Sequence, residues 1–197
     1  MTKAVKKTNA IRLVEQAKIP CREDFYEYDE KDLSGIHAAQ MLGEDPEQVY
    51  KTLVARGPKT GINVFCIPVC CELDLKKAAR AAGDKSMELI PVKELLGLTG
   101  YIRGGCSPVG MKKKYPTFLE ESCQLFEEIA VSAGERGHQM FLAPQALADL
   151  TNARMTDLIL LAKGRRRCSD GMPPLNFSKM PPLNFSKNIC NCSFGMI

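Results

Sequence analysis

The chain has 197 residues, 45% of them hydrophobic and 25% charged, which is enough to bury a core and is ordinary for a globular protein. No apolar run approaches the roughly 18 residues that would span a bilayer, and the basic start "MTKAVKKTNA" runs into a charged helical pattern where a signal peptide needs an apolar one; a cytoplasmic location with no membrane partner is expected. The 27 Lys and Arg against 23 Asp and Glu give +4, but five of those bases and one of those acids fall in residues 164–197, so 22 of each remain in residues 1–163 and bulk charge is no argument for nucleic-acid binding.

In chain order, residues 8–18 read as a helix: Thr8 or Asn9 can cap it, Ile11, Val14 and Ala17 share a face, and Pro20 lies just beyond. "DFYEYD" is a strand candidate with Phe25 turned inward and Tyr28 a second candidate for the inner face. "GIHAAQMLG" is a short helix that Gly43 stops in a left-handed conformation. "DPEQVY" offers Asp45 as a cap and Pro46 in a first helical turn. The strands "KTLVARG" and "INVFCIPVC" follow, joined by "GPKTG". Asp74 caps "LKKAARAAG", which ends at Gly83, and Pro91 opens "VKELLGLTG".

Beyond it lies "YIRGGCSPVGMKKKYP", residues 101–116. Then "EEIAVSA" and "HQMFLA" flank "GERG" as a hairpin in which Gly134 and Gly137 take positive φ. Pro144 starts a last helix and "ARMTDLI" closes the domain. Short strands with helices scattered among them point to an α+β or mixed α/β fold, not to a regular βαβ repeat. The octapeptide "MPPLNFSK" occurs at 172–179 and again, unchanged, at 180–187; with its Pro pairs and no periodic apolar face, it is expected to be disordered.

Several residues are candidates for chemistry. Lys51 shares a strand face with Leu53 and Ala55, so it either reaches water at the strand end or points into a cavity as a fixed cation. Gly104, Gly105 and Gly110 permit a close backbone approach, either as an anion-binding nest or as a plain turn. Cys106 would need a base to act as a nucleophile, and the two histidines, His37 and His138, are remote in sequence. Lys112, Lys113 and Lys114 are either a solvated patch or, with Arg103 and with Arg136 at the hairpin, contacts for a phosphate backbone. The nine cysteines include no CxxC pair, so no metal is expected, and "CNC" at 190–192 is a weak signal by itself.

The stretches "KTNAIRLVEQAKIP", "YEYDE", "VYKTLVARG", "ELDLKKAARAAG", "ELIPVKELLGLTGYIRGGCSPVGMKKKYPTF" and "IAVSAGERG" together resemble the YbaK/EbsC family, free-standing relatives of the editing domain of bacterial prolyl-tRNA synthetase. The resemblance runs from about residue 6 to about residue 160. It implies one domain over residues 1–163, with a curled mixed β-sheet flanked by helices, and a tail over 164–197 outside the family. It also implies metal-independent, cofactor-free hydrolysis of mischarged Cys-tRNA(Pro), aided by the substrate's own thiol.

Under the resemblance, Lys51 matches an essential lysine that holds the terminal adenosine or the ester. Tyr28 matches a pocket tyrosine. Gly104, Gly105, Ser107 and Pro108 match the loop beside the aminoacyl group, and Ser132 with Gly134 matches a second pocket loop. Charged tRNA(Pro) and a ternary complex with prolyl-tRNA synthetase are the implied partners. The alternatives are a deacylase for another small aminoacyl group such as alanine, and a non-catalytic tRNA- or synthetase-binding module. "HQMF" departs from the family pattern, and the sequence does not fix the oligomeric state.

Overall fold

The computed structural model describes residues 7–160. The tandem octapeptide and "CNC" lie outside the described residues.

Local capping signals set most element ends. Helix α1 (Asn9–Gln16) begins at Thr8, whose Oγ1 accepts from the Ile11 N–H, and it buries Ala10, Ile11 and Val14. Helix α2 (Gly35–Leu42) is capped by Ser34 and stops at Gly43, φ 69°. Helix α3 (Leu75–Ala82) starts where the Asp74 carboxylate accepts from the Lys76 and Lys77 N–H groups, and it ends at Gly83. Helices α4 (Val92–Thr99) and α5 (Pro144–Thr151) follow Pro91 and Ala143, and end on left-handed Gly100 and Asn152.

Two sheets are built from the strands. The first, in order β1-β7-β6, is antiparallel and holds β1 (Arg22–Phe25), β6 (Ile129–Ser132) and β7 (His138–Leu142). The second runs β4-β2-β3-β5-β8, from β2 (Tyr50–Gly57), β3 (Gly61–Pro68), β4 (Glu88–Leu89), β5 (Thr117–Glu120) and β8 (Arg154–Thr156). There β2 and β3 form an antiparallel hairpin, while β3, β5 and β8 are parallel. A single parallel bridge, Val49 to Ala130, ties the sheets together. The mixed α/β fold expected from the sequence is therefore present, but its strands form two sheets where one curled sheet was expected.

Three expectations change. "DPEQVY" is not a helix: it is one turn in which the Asp45 carboxylate accepts from the Glu47 N–H, because Val49 is already committed to the inter-sheet bridge. Phe25 is 52% exposed, stacked on the buried His138 ring at 4.0 Å; β1 is an edge strand, and this face of it is not covered. Strand β5 was not anticipated, and it is buried at all four positions.

The core has two main parts. One gathers α1, α5 and the interior of β6 and β7, around Ile11, Val131, Met140 and Leu147. The other lies under α3, around Phe65, Ile67, Ala78 and Phe118, with the Phe65 and Phe118 rings 5.2 Å apart. Burying such side chains is the main favourable contribution to folding.

Glu120 ends β5 with 3% exposure, and burial pushes its carboxyl up to about 6 against the Leu158 N–H that donates to it. An acid whose folded pKa is raised binds its proton more tightly when folded. Its stabilisation is full below the ordinary 4.5 and is lost as pH rises through about 6. Glu120→Gln is therefore expected to raise the melting temperature at pH 8 and to do little at pH 4.5. Thermal melts at the two pH values check this, and an equal shift at both would refute it.

Candidate functional site

Past the Val49–Ala130 bridge, pairing between β2 and β6 stops and a cavity of about 460 Å³ opens. Its walls are the start of α2, residues 49–54 leading into β2, Val69 after β3, the β4–α4 junction, the 103–106 loop, Tyr26, and Ser132 with Gln139 from β6 and β7. The lining is mostly apolar with a few polar groups, which suits a small ligand that must be both enclosed and oriented.

Strand β2 supplies an unusual wall. The Val69 N–H donates to the Val49 carbonyl, so antiparallel alternation turns the peptide groups of Lys51 and Leu53 towards β3. The groups of Thr52 and Val54 then face the opposite edge. Val54's carbonyl accepts there from the Ile90 N–H, and Thr52 is left on the edge that borders the cavity.

Lys51 lines the same wall, half-buried, with its Nζ donating to the Val69 carbonyl at 3.3 Å. Burial lowers its pKa from 10.5, and the neighbouring Cys71, Glu72 and Cys70 partly oppose that. Of the two readings of Lys51, a cation in a cavity describes its position.

The 100–110 loop is held rigidly from behind. Tyr101 donates its hydroxyl to the Val109 carbonyl at 2.6 Å, Ser107 Oγ accepts from the Val109 N–H, and Asn9 Nδ2 donates to the Gly110 carbonyl. Gly105 lies so close to the β6–β7 hairpin that an added Cβ would sit 2.9 Å from the backbone of Glu135. Gly134 makes room for the Tyr101 ring in the same way, at φ 104°. Ser132 Oγ accepts from the Gly134 N–H at 3.2 Å.

Of the anticipated residues, the fold brings Lys51, Gly104, Ser132 and Arg103 to the cavity. Gly105, Ser107, Pro108 and Gly134 stand behind it as supports. Tyr28 is 43% exposed and outside the lining, where Tyr26 takes the place in the wall. The strand ends at Phe25, so no strand register fixes the direction of Tyr28, and a period of 2 would in any case place it on the face opposite Phe25.

Arg136 is engaged: its Nε donates to the Arg103 carbonyl, its Nη1 lies 3.5 Å from Glu30, and its guanidinium is 5.9 Å from the Tyr28 ring centre. Lys112 folds its amine onto the Leu96 carbonyl in the last turn of α4. Lys113 and Lys114 are exposed, away from the lining.

Among the lining residues that sequence reasoning missed are Tyr26 and Gln139. Gln139 is 7% exposed, and its Oε1 is buried without a hydrogen-bond partner. It pairs across the strand with Ser132. The signal was a polar residue inside "HQMFLA", a run buried at every strand position. Cys106 lines the cavity at 9% exposure, and burial pushes its thiol up to about 12, which leaves it unreactive.

Residues 33–150, which include nearly all of this lining, match the aminoacyl-tRNA editing domain family. The chain belongs to that family. Over 156 residues it is 49% identical to an Enterococcus faecalis protein named "Putative Cys-tRNA(Pro)/Cys-tRNA(Cys) deacylase EbsC", covering 79% of this chain and 95% of that one. Over 132 residues it is 24% identical to the uncharacterized protein YwhH of Bacillus subtilis, covering 67% and 83%. A crystal structure of "a putative trans-editing enzyme for prolyl tRNA synthetase" superimposes with a TM-score of 0.68 at 26% identity, covering 81% of this chain and all of that one. Among the described residues of this member of the editing family, no Asp, Glu or His side chain lines the cavity.

Proposed function

We propose that this chain is a trans-editing deacylase. Its editing unit, residues 1–163, removes cysteine from mischarged tRNA(Pro) and releases free cysteine and tRNA. The observation that carries this reading is Lys51: a half-buried cation on the wall of a small, mainly apolar cavity in an aminoacyl-tRNA editing domain. A pocket alone separates amino acids of similar size poorly, so a second site that inspects the ester is chemically warranted.

The aminoacyl group enters between the 103–106 loop and the open edge of β2. Lys51, with Arg103 at the rim, holds the ester end and the terminal nucleotide. Gln139 presents its orphaned carbonyl to the substrate ammonium, a group with three donors to give. Among the described residues of the lining there is no carboxylate or imidazole, which favours a substrate that brings its own nucleophile. Its thiol, with a pKa of about 8.5 when free, attacks the ester carbonyl: a C–S bond forms, the C–O bond to the ribose breaks, and the ribose oxygen takes up the proton. Water then opens the resulting thiolactone to cysteine.

Lys113 and Lys114 meet the tRNA backbone outside the cavity, where exposed charge steers more than it holds. Prolyl-tRNA synthetase supplies tRNA selectivity in a ternary complex, and the reaction takes place in the cytoplasm. Among the described residues, no helix is long and apolar enough to cross a membrane.

Deacylation of Cys-tRNA(Pro), Ser-tRNA(Pro) and Ala-tRNA(Pro), with and without prolyl-tRNA synthetase, tests the proposal. Turnover of the cysteinyl ester at substoichiometric protein, with the seryl ester left intact, is the expected result. Equal hydrolysis of the two removes the thiol from the mechanism, and binding without turnover removes the enzyme. Cys106→Ser is expected to keep the rate within about twofold, since a thiol held un-ionised by burial is no nucleophile. A large loss, measured in the same assay, would restore Cys106 as a candidate.

A further inference from the structure

Cys70 and Cys71 are adjacent, partly accessible, and carry their sulfurs 3.7 Å apart. They sit in a tight turn after β3, closed by the Cys71 N–H donating to the Pro68 carbonyl at 3.1 Å. Neither belongs to the cavity lining, and nothing in the proposed mechanism uses them.

The turn they occupy is joined to the cavity at two points. Val69, the residue before them, gives its carbonyl to Lys51 Nζ. Its side chain also lodges against the first residue of α2, so closely that an added Cβ on Gly35 would fall 2.3 Å from Val69 Cγ1. Val69 and Gly35 both line the cavity. A change in the Cys70–Cys71 peptide therefore acts on the neighbouring Val69 carbonyl and on the packing of the cavity wall.

We propose that Cys70 and Cys71 form a modification site: a vicinal dithiol that small disulfides oxidise to a Cys70–Cys71 bridge, displacing the Val69 carbonyl from Lys51. Burial and the neighbouring Cys70 push the Cys71 thiol up to about 12, so the Cys70 thiolate, having given its proton to water, attacks the external disulfide first and expels one thiolate. The other thiol, deprotonated in turn, attacks the mixed disulfide and expels the second. The pair loses two electrons and two protons, and the small disulfide becomes two thiols.

Neighbouring Cα atoms are about 3.8 Å apart, below the usual disulfide window of about 4.4–6.8 Å. Closure must therefore twist the turn, and the bridge it makes is easily reduced again. A trivalent arsenical reads the same pair without redox chemistry, since its As–O bonds exchange for two As–S bonds with release of water.

The consequence for activity rests on the deacylase reading, whereas the bridge and the exposure of Lys51 do not. The test uses the full reduced chain, treated with phenylarsine oxide or with glutathione disulfide, then denatured, alkylated and digested with trypsin. Wild type is expected to yield the residue 60–76 peptide with its pair bridged and one alkyl group, on Cys66. Cys71→Ser is expected to yield none bridged. Amine labelling of Lys51 is expected to quicken in the bridged protein.

Deacylation of Cys-tRNA(Pro) is expected to fall roughly tenfold to a hundredfold, the scale of loss when a functional group moves by about 1 Å, and dithiothreitol should restore it. Three alkyl groups on the peptide after treatment, or a bridge that survives in Cys71→Ser, overturns the site. A bridge that leaves Lys51 labelling unchanged overturns the coupling. A reduced protein with no deacylase activity refutes the function instead, with the bridge and the labelling still deciding this proposal.

Discussion

Lys51→Ala is expected to lower deacylation of Cys-tRNA(Pro) by about 10²–10³, the loss typical of removing one preorganised electrostatic contact from a transition state. The fold should survive the change. Burial lowers the lysine's pKa from 10.5, so the folded chain binds that proton less tightly than the unfolded one. The resulting penalty on the fold is present below the lowered pKa and fades as pH rises through the ordinary value. At pH 7, removing the amine thus relieves a cost, and Lys51→Met should melt at or above the wild-type temperature. Single-turnover kinetics alongside thermal melts separate the two effects. Undiminished turnover would sink the role given to Lys51, and loss of folding would sink the account of its environment.

Gly105→Ala is expected to be the most damaging single-methyl change in the loop. Its Cβ would lie 2.9 Å from Glu135 C and Cα and 3.0 Å from Arg136 N, all backbone atoms that have no rotamer to retreat into. Overpacking of this kind costs about 1–3 kcal/mol, or several degrees of melting temperature at about 2–4 °C per kcal/mol for a chain of this size. Activity should fall at least about tenfold, since Gly104 and Cys106 on either side are in the cavity wall and must move with it. Gly97→Ala is the control. It lies on the exposed side of α4 with nothing within 4 Å, and should gain about 0.5–1 kcal/mol from helix propensity. Kinetics and melts of the two variants together test whether the 100–110 loop is as tightly backed as the contacts indicate.

The two arginine and lysine reassignments follow from the same packing. Sequence offers Arg136 and Lys112 as free cations beside a glycine-rich loop, yet each spends its donors on a backbone carbonyl, Arg103 and Leu96 respectively. Their substitution is a matter of loop position before it is one of charge. Arg103 lines the cavity while its carbonyl anchors Arg136.

What the residues alone determined is local or linear. Thr8 and Asp74 cap helices because a side-chain oxygen reaches an N–H two or three residues on, and Gly43 and Gly83 end them because φ near 70° suits glycine best. The hairpins over 50–68 and 129–142 were legible for the same reason, each being a short pattern with a defined period or spacing, and so was the strand that carries Lys51.

What required the tertiary structure is long-range. Strand β5 has only four residues and is buried on both faces, so "TFLE" shows no alternation, and its parallel partners β3 and β8 come from distant segments. Tyr26 rather than Tyr28, Gln139 with its unpartnered carbonyl, and the open edge at Thr52 all depend on where β2 leaves β6, a point set by a single bridge between two sheets. Side-chain direction in a strand is decided by register, and register by a partner far away in sequence. The sequence could therefore name Lys51, Arg103, Gly104 and Ser132, but not the Tyr26, Gln139 and open β2 edge that complete the wall around them.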